Sequence, residues 1–257
     1  MEFTMQQKEE ILNLAKDMRV TDIRDGMDWM GFHHYGSMST SMRPLWRTKA
    51  MGFAKTSRYI PYNKPVPQGR IGKDYTEWSN WFYKEICTMP WRYEAEKYDM
   101  CVIDQSGLNV GVMGSNNSLA LLGLTGISGF VINGTIRDTD EVIEEKVPVW
   151  SLGCAQSMDQ GRIQYESHNC KINCDGVGVE PGDFVVADND GVIVVPKDVV
   201  YDVIKWGTQE MDNDKPARKF YYMKAGLPLD DSVDVEITPE QMDKFEAIAR
   251  SYVNYKG

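Results

Sequence analysis

The chain has 257 residues, 42% hydrophobic and 26% charged, the make-up of a soluble globular protein with room for a sizeable core. A net charge of -10 argues against a protein that grips nucleic-acid phosphates, and no apolar stretch is long enough to cross a bilayer. Five cysteines without CxxC spacing, and a polar N-terminus with no apolar signal core, predict reduced thiols and a cytoplasmic location.

In chain order, residues 4–17 set Ile11, Leu12, Leu14 and Ala15 at helical spacing and predict a first helix. A second is expected over 21–30, capped by Thr21 and stopped by Gly31. Its acids Asp22, Asp25 and Asp28 suit a solvated face, with a metal site as the rival reading. Residues 41–56, punctuated by Pro44 and Gly52, predict strand–turn–strand. Residues 61–100 are rich in aromatics. A helix over 75–87 is expected there, with Trp78, Trp81, Phe82 and Tyr83 partly exposed as core, subunit contact or pocket lining. Residues 100–104, MCVID, predict a short strand.

Residues 114–138, GSNNSLALLGLTGISGFVINGTIRD, carry the chemistry. A helix over 117–124 is followed by a buried strand over 129–133, and Asn133-Gly134 reads as a turn before Arg137-Asp138. A helix start preceded by Ser115, Asn116, Asn117 and Ser118 offers unpaired N–H groups to a carboxylate or phosphate. Asp138 suits a hard divalent cation, and Arg137 an oxyanion. The plainer reading is a helix cap and a solvated ion pair.

Beyond it, a short helix is expected over 139–145, a strand over 147–150 and an exposed strand pair over 162–173. Residues 177–195 give the clearest β pattern, with turns at Pro181-Gly182-Asp183 and Asn189-Asp190-Gly191. A long helix over 198–225 is expected to break near Pro216, and a last helix over 238–252 to bury Met242, Phe245, Ile248 and Ala249 on a neighbouring surface. Cys170, Cys174 and His168 make only a poor zinc pattern.

GSNNSLALLGLTGISGFVINGTIRDTDEV, PVW and GVGVEPGDFVVADNDGVIVVP together resemble the RraA-like family, which includes 4-hydroxy-4-methyl-2-oxoglutarate and 4-carboxy-4-hydroxy-2-oxoadipate aldolases and regulators of ribonuclease activity. The combination of GxxRD with PGDxVxADxDGVxVVP is fairly specific, and the likeness spans most of the chain outside an aromatic insert over 69–98. It implies one α/β domain over 1–257, of the swivelling β/β/α (phosphohistidine-domain-like) type, with N-terminal helices over 1–31 and a C-terminal helical extension over 198–257. It further implies a homotrimer or homohexamer and a Mg2+- or Mn2+-dependent class II aldolase or decarboxylase acting on a small 2-oxo acid, without nucleic acid or membrane as partner. The alternative it carries is a non-catalytic regulator that binds a larger enzyme.

By the same resemblance, Arg137 binds substrate, Asp138 is the metal ligand, and Gly114, Ser115, Asn116, Asn117 and Ser118 hold the substrate carboxylate. Catalytic members carry an acid where this chain has Asn116, whose amide can hydrogen-bond a water but cannot take its proton. A further acid reaches the site from a neighbouring subunit's C-terminal helix, and Glu210, Asp212 and Asp214 are the candidates.

Overall fold

Two helices, α1 (Met5–Ala15) and α2 (Val20–Trp29), open the computed structural model, which describes residues 2–68 and 73–254. Thr4 and Gln7 cap α1 reciprocally, each side chain accepting the other's backbone N–H. Thr21 is not the cap of α2. Asp22 closes that end instead, accepting the Arg19 N–H at 2.7 Å and pairing with its guanidinium at 2.6 Å. Asp22 is thereby buried in an ion pair. No group of three or more His, Cys, Asp or Glu suited to a metal exists among the described residues, which removes the acidic-helix and zinc readings.

The chain continues through β1 (Arg43–Pro44), β2 (Ala50–Pro61) and α3 (Lys73–Trp81), the last running into a π-helical turn, Phe82–Ile86, and a 3-10 turn, Pro90–Tyr93. The expected aromatic insert begins at 69, and its first residues, 69–72, lie outside the described ones. Phe82 is fully buried rather than partly exposed, because it packs on Tyr62 and Trp78 over the sheet. Then follow β3 (Asp99–Asp104), α4 (Ser115–Thr125), β4 (Gly129–Ile136), α5 (Thr139–Glu144) and β5 (Val149–Cys154). β6 (Ile163–His168) and β7 (Ile172–Cys174) are not paired with each other as expected: β6 joins β2, and β7 joins β8 (Val177–Val179) in a small separate sheet. β9 (Phe184–Asp188) and β10 (Gly191–Val195) form the expected hairpin. Two helices close the chain, α6 (Val200–Ala225) and α7 (Pro239–Asn254).

The main sheet has the order β1-β5-β4-β3-β2-β9-β10, with β6 also on β2. β2, β3, β4 and β5 are parallel, since the α3 segment, α4 and α5 in turn carry the chain back between consecutive strands. Phe130, Val131 and Ile132 of β4 are wholly buried on both faces, each worth roughly 1.5–3 kcal/mol of burial. The sheet curls until its ends meet. Arg43 on β1 donates to the carbonyls of Asn189 and Asp190 at the β9–β10 turn, at 2.9 and 3.2 Å, and Trp150 of β5 donates to Asp188 O at 2.8 Å. One core layer, with Met42, Val102, Val131, Trp150 and Val185, fills the inside of this curl. A second, with Ile11, Ile23, Phe53, Phe184 and Val203, holds α1, α2 and α6 to the outside.

α6 does not break at Pro216. The proline ring is buried and one ladder bond is forgone, but the helix is held on both sides: α2 packs on its first half, and Phe220 meets Phe245 of α7 at 5.7 Å on its second.

Candidate functional site

β3, β4 and β5 finish side by side, Asp104 paired with Asn133 and Ile136 with Cys154. Their exits carry three loops to one rim: 105–114 leading into α4, Arg137-Asp138 leading into α5, and 155–162. The carboxyl ends of parallel strands are where open α/β sheets bind ligands. A cleft of about 680 Å³ lies at this rim, a size suited to a small molecule.

Asn133-Gly134 does not turn the chain. β4 continues to Ile136 through a register shift between Ile132 and Thr135, with Gly134 admitting the Gln105 side chain, which a Cβ would meet at 2.8 Å. Arg137 and Asp138 therefore leave the end of a rigid strand instead of a flexible hairpin. Asp138 precedes α5 at φ 57°, ψ 43°, a left-handed conformation uncommon outside glycine, and its side chain makes no capping bond. Its carboxylate turns to Arg137 instead, whose Nε donates to Oδ1 at 3.0 Å.

Two glycines admit this pair. A Cβ at Gly114 would lie 2.3 Å from Asp138 Oδ2, and one at Gly111 would lie 2.6 Å from Arg137 Cγ. Gly111 is bridged to Thr135 on one side and Met158 on the other, so it seats the arginine between β4 and the loop after β5. Gly114 is also the N-cap of α4, and it has no side chain with which to satisfy the helix start. The first intrahelical bond runs from Ser118 N to Gly114 O at 3.1 Å, leaving the N–H groups of Ser115, Asn116 and Asn117 without intrahelical partners.

Of the residues expected at the site, Gly114, Asn116, Asn117, Arg137 and Asp138 line the cleft. Ser115 and Ser118 do not present their hydroxyls to it: Ser115 Oγ donates to Glu145 at 2.8 Å, and buried Ser118 bonds the carbonyls of Gly114 and Ser115. Glu210 and Asp214 line a different hollow, with Asp25, Asp28, Trp29 and His33, and Asp212 pairs with Lys215.

The opposite wall escaped the sequence reading apart from Tyr83, which the aromatic stripe offered as one option. Tyr83, Lys84, Cys87 and Arg92 face the cleft from the π-helical and 3-10 turns, and Asp159 closes its floor. Trp91 anchors this wall by donating to Tyr59 Oη at 2.9 Å, and Tyr59 in turn donates to Thr88 O at 3.0 Å. Asp159 is nearly fully buried, receives the Cys87 thiol at 3.4 Å and lies near the Tyr83 phenol. Burial pushes the Asp159 carboxyl above its ordinary range, against the pull of these donors, and burial likewise raises the Cys87 thiol and the Tyr83 phenol. In the sequence Asp159 is one acid in a polar loop, with no neighbour to mark it.

A divalent cation fits one place in this donor set. Asp138 Oδ2 faces the notch that a side chain at 114 would fill, beside open cleft. One carboxylate completed by water and substrate oxygens is a magnesium-type shell, whereas zinc would want a cluster of nitrogen or sulfur ligands.

Residues 20–194 match the family model for RraA-like proteins, described as Aldolase/RraA. Protein DlpA of Legionella pneumophila is 27% identical over 185 residues, which cover 71% of this chain but 27% of that protein. A Halalkalibacterium halodurans protein named "Putative 4-hydroxy-4-methyl-2-oxoglutarate aldolase" is 31% identical over 123 residues, 48% of this chain and 58% of the relative. The chain thus spans about a quarter and somewhat over half of these two relatives' lengths. Among solved structures, Streptomyces coelicolor RraAS2, described as an unusual member of the RNase ES inhibitor RraA protein family, superposes with a TM-score of 0.66 at 21% identity, over 85% of this chain and 98% of that one. With a family match over residues 20–194, and a mixed α/β fold shared with an RraA protein, the chain belongs to the RraA-like family.

Proposed function

We propose that the cleft is the active site of a divalent-metal-dependent lyase, which cleaves or decarboxylates a small 2-oxo acid and releases pyruvate. The observation that carries this reading is the seating of Arg137 and Asp138, through Gly111 and Gly114, against the uncapped start of α4. The aldolase naming of relatives such as the Halalkalibacterium protein supports it.

In this reading the free N–H groups of Ser115, Asn116 and Asn117 take the substrate carboxylate, helped by the helix dipole. Asp138 holds Mg2+ or Mn2+, and the cation supplies Lewis acidity to the 2-oxo acid when bound. Arg137 places its guanidinium where negative charge grows on the keto oxygen as the bond to C3 breaks. Asn116 orients a water or a substrate hydroxyl, and proton transfer falls to another group. Lys84 and Arg92 on the facing wall favour an anionic substrate. The swivelling β/β/α arrangement, assembly as a homotrimer or homohexamer, and a cytoplasmic setting belong to the same proposal.

The test is pyruvate release from a panel of 2-oxo acids, with Mg2+ or Mn2+ and after chelation. Activity is expected only with metal, and Asp138→Ala is expected to abolish it. Full activity in that variant sinks the assignment. The structural likeness to RraAS2 supports a second reading, a regulator that docks on a larger enzyme. That reading would be favoured by no pyruvate release, no stabilisation by Mg2+ with oxalate, and binding to a ribonuclease.

A further inference from the structure

The cleft is lined by two carboxylates among the described residues, Asp138 and Asp159, and they are built for different work. Asp138 is partly exposed and paired with Arg137 at 3.0 Å. Asp159 is 5% exposed and meets no cation within ion-pairing distance among the described residues. Its carboxylate lies instead among weak acids: the Cys87 thiol at 3.4 Å and the Tyr83 hydroxyl, with the Tyr59 phenol behind them. Arg137 acts on Tyr83, lowering its phenol against the effect of burial. Asp159 also follows directly on Met158, which is bridged to the glycine that seats Arg137. Its place is therefore beside the oxyanion end of the cleft, and Tyr83, 39% exposed, connects it to the cleft mouth.

We infer that Asp159 is the proton-transfer residue of this site, giving a proton to C3 of the enolate of pyruvate and recovering it by way of Tyr83 and solvent. The inference rests on the lyase reading above. In the forward step the enolate π electrons form a C3–H bond, Asp159 becomes a carboxylate, and the keto group of pyruvate is restored. In reverse, the Asp159 carboxylate takes a C3 proton from pyruvate and the C–H electron pair becomes the enolate. Aldol cleavage and decarboxylation both leave the same enolate, so one acid serves either. A carboxyl held among neutral donors in a desolvated floor binds its proton more tightly than an exposed one, which suits a general acid.

The experiment is exchange of the pyruvate methyl protons in D2O, followed by NMR with Mg2+ across pH, beside oxalate-induced thermal stabilisation. Wild type is expected to exchange. Asp159→Asn is expected to lose on the order of 10²–10⁴-fold in exchange rate and the ionisation on its pH profile, while keeping its response to oxalate. Asp159→Glu should recover part of the rate with a displaced profile. An infrared carbonyl band from a buried protonated carboxyl should be present in wild type and absent from Asp159→Asn. Exchange and profile unchanged in a folded, oxalate-responsive Asp159→Asn would overturn the inference and leave the lyase reading standing. Absence of both exchange and oxalate response in wild type would overturn both.

Discussion

Gly114 and Arg137 show how a site can be half legible at the level of single residues. Arg137-Asp138 stands out by motif, and the polar run ahead of α4 by its helix-start composition. The notch that joins them is written only in two missing side chains, Gly111 and Gly114, whose packing against Arg137 and Asp138 is a tertiary fact. Gly114 has φ -149° and ψ -176°, a conformation that alanine adopts freely, so Gly114→Ala tests the contact without backbone strain. We expect it to cost about 1–3 kcal/mol in chemical denaturation through overpacking. In the lyase reading it should also lower pyruvate release by roughly 10²-fold, as small misplacements of a reacting group do.

Asp159 makes a separate prediction at this scale. Its carboxyl is raised by burial above the ordinary 3.8, so folding favours the protonated form. That stabilisation is fully present below the unfolded-chain value and is lost as pH rises through the folded one. Asp159→Asn removes the cost of burying a charge, so its melting temperature relative to wild type should be highest at about pH 8 and fall toward about pH 4. A constant difference across that range would contradict the assignment of the charge cost to this residue.

Among the elements, α2 and α6 are joined more closely than their side chains advertise. A Cβ at Gly26 would lie 2.2 Å from Val203 O, and one at Gly207 would lie 2.4 Å from Asp22 O, so the two helices touch through backbone. Gly26→Ala or Gly207→Ala should therefore destabilise by roughly 1–3 kcal/mol in urea unfolding and disturb the Trp29–Trp206 stack, readable in tryptophan fluorescence. The sequence makes both helices legible, and Ile23, Met27, Val203 and Ile204 pack in one core between them. It failed where a local signal met a tertiary override. Asn133-Gly134 has the composition of a turn, yet β4 runs on through it between β3 and β5. Pro216 has the composition of a stop, yet packing on both sides carries α6 past it.

For the whole molecule, the order of strands accounts for the site more than any motif does. The pairing of β2 with β9, and the return of β1 to the β9–β10 turn, depend on contacts between residues more than a hundred apart in sequence, which no local pattern records. Closure has its own test. Trp150→Phe would keep most of the buried ring but strip the Asp188 carbonyl of its 2.8 Å donor, and should cost about 1–3 kcal/mol in denaturant unfolding.

The two walls of the cleft are made differently. Arg137, Asp138 and the α4 start descend from parallel strands, whereas Tyr83, Lys84, Cys87 and Arg92 ride on short turns pinned at Tyr59 and Trp91. Mutational drift in 84–93 can thus retune which molecules are admitted while the polar machinery stays in register. A laboratory library confined to that segment, with Cys87 and Trp91 held fixed, is the economical route to a new specificity on this scaffold, since Tyr83 stays outside it with the proton path.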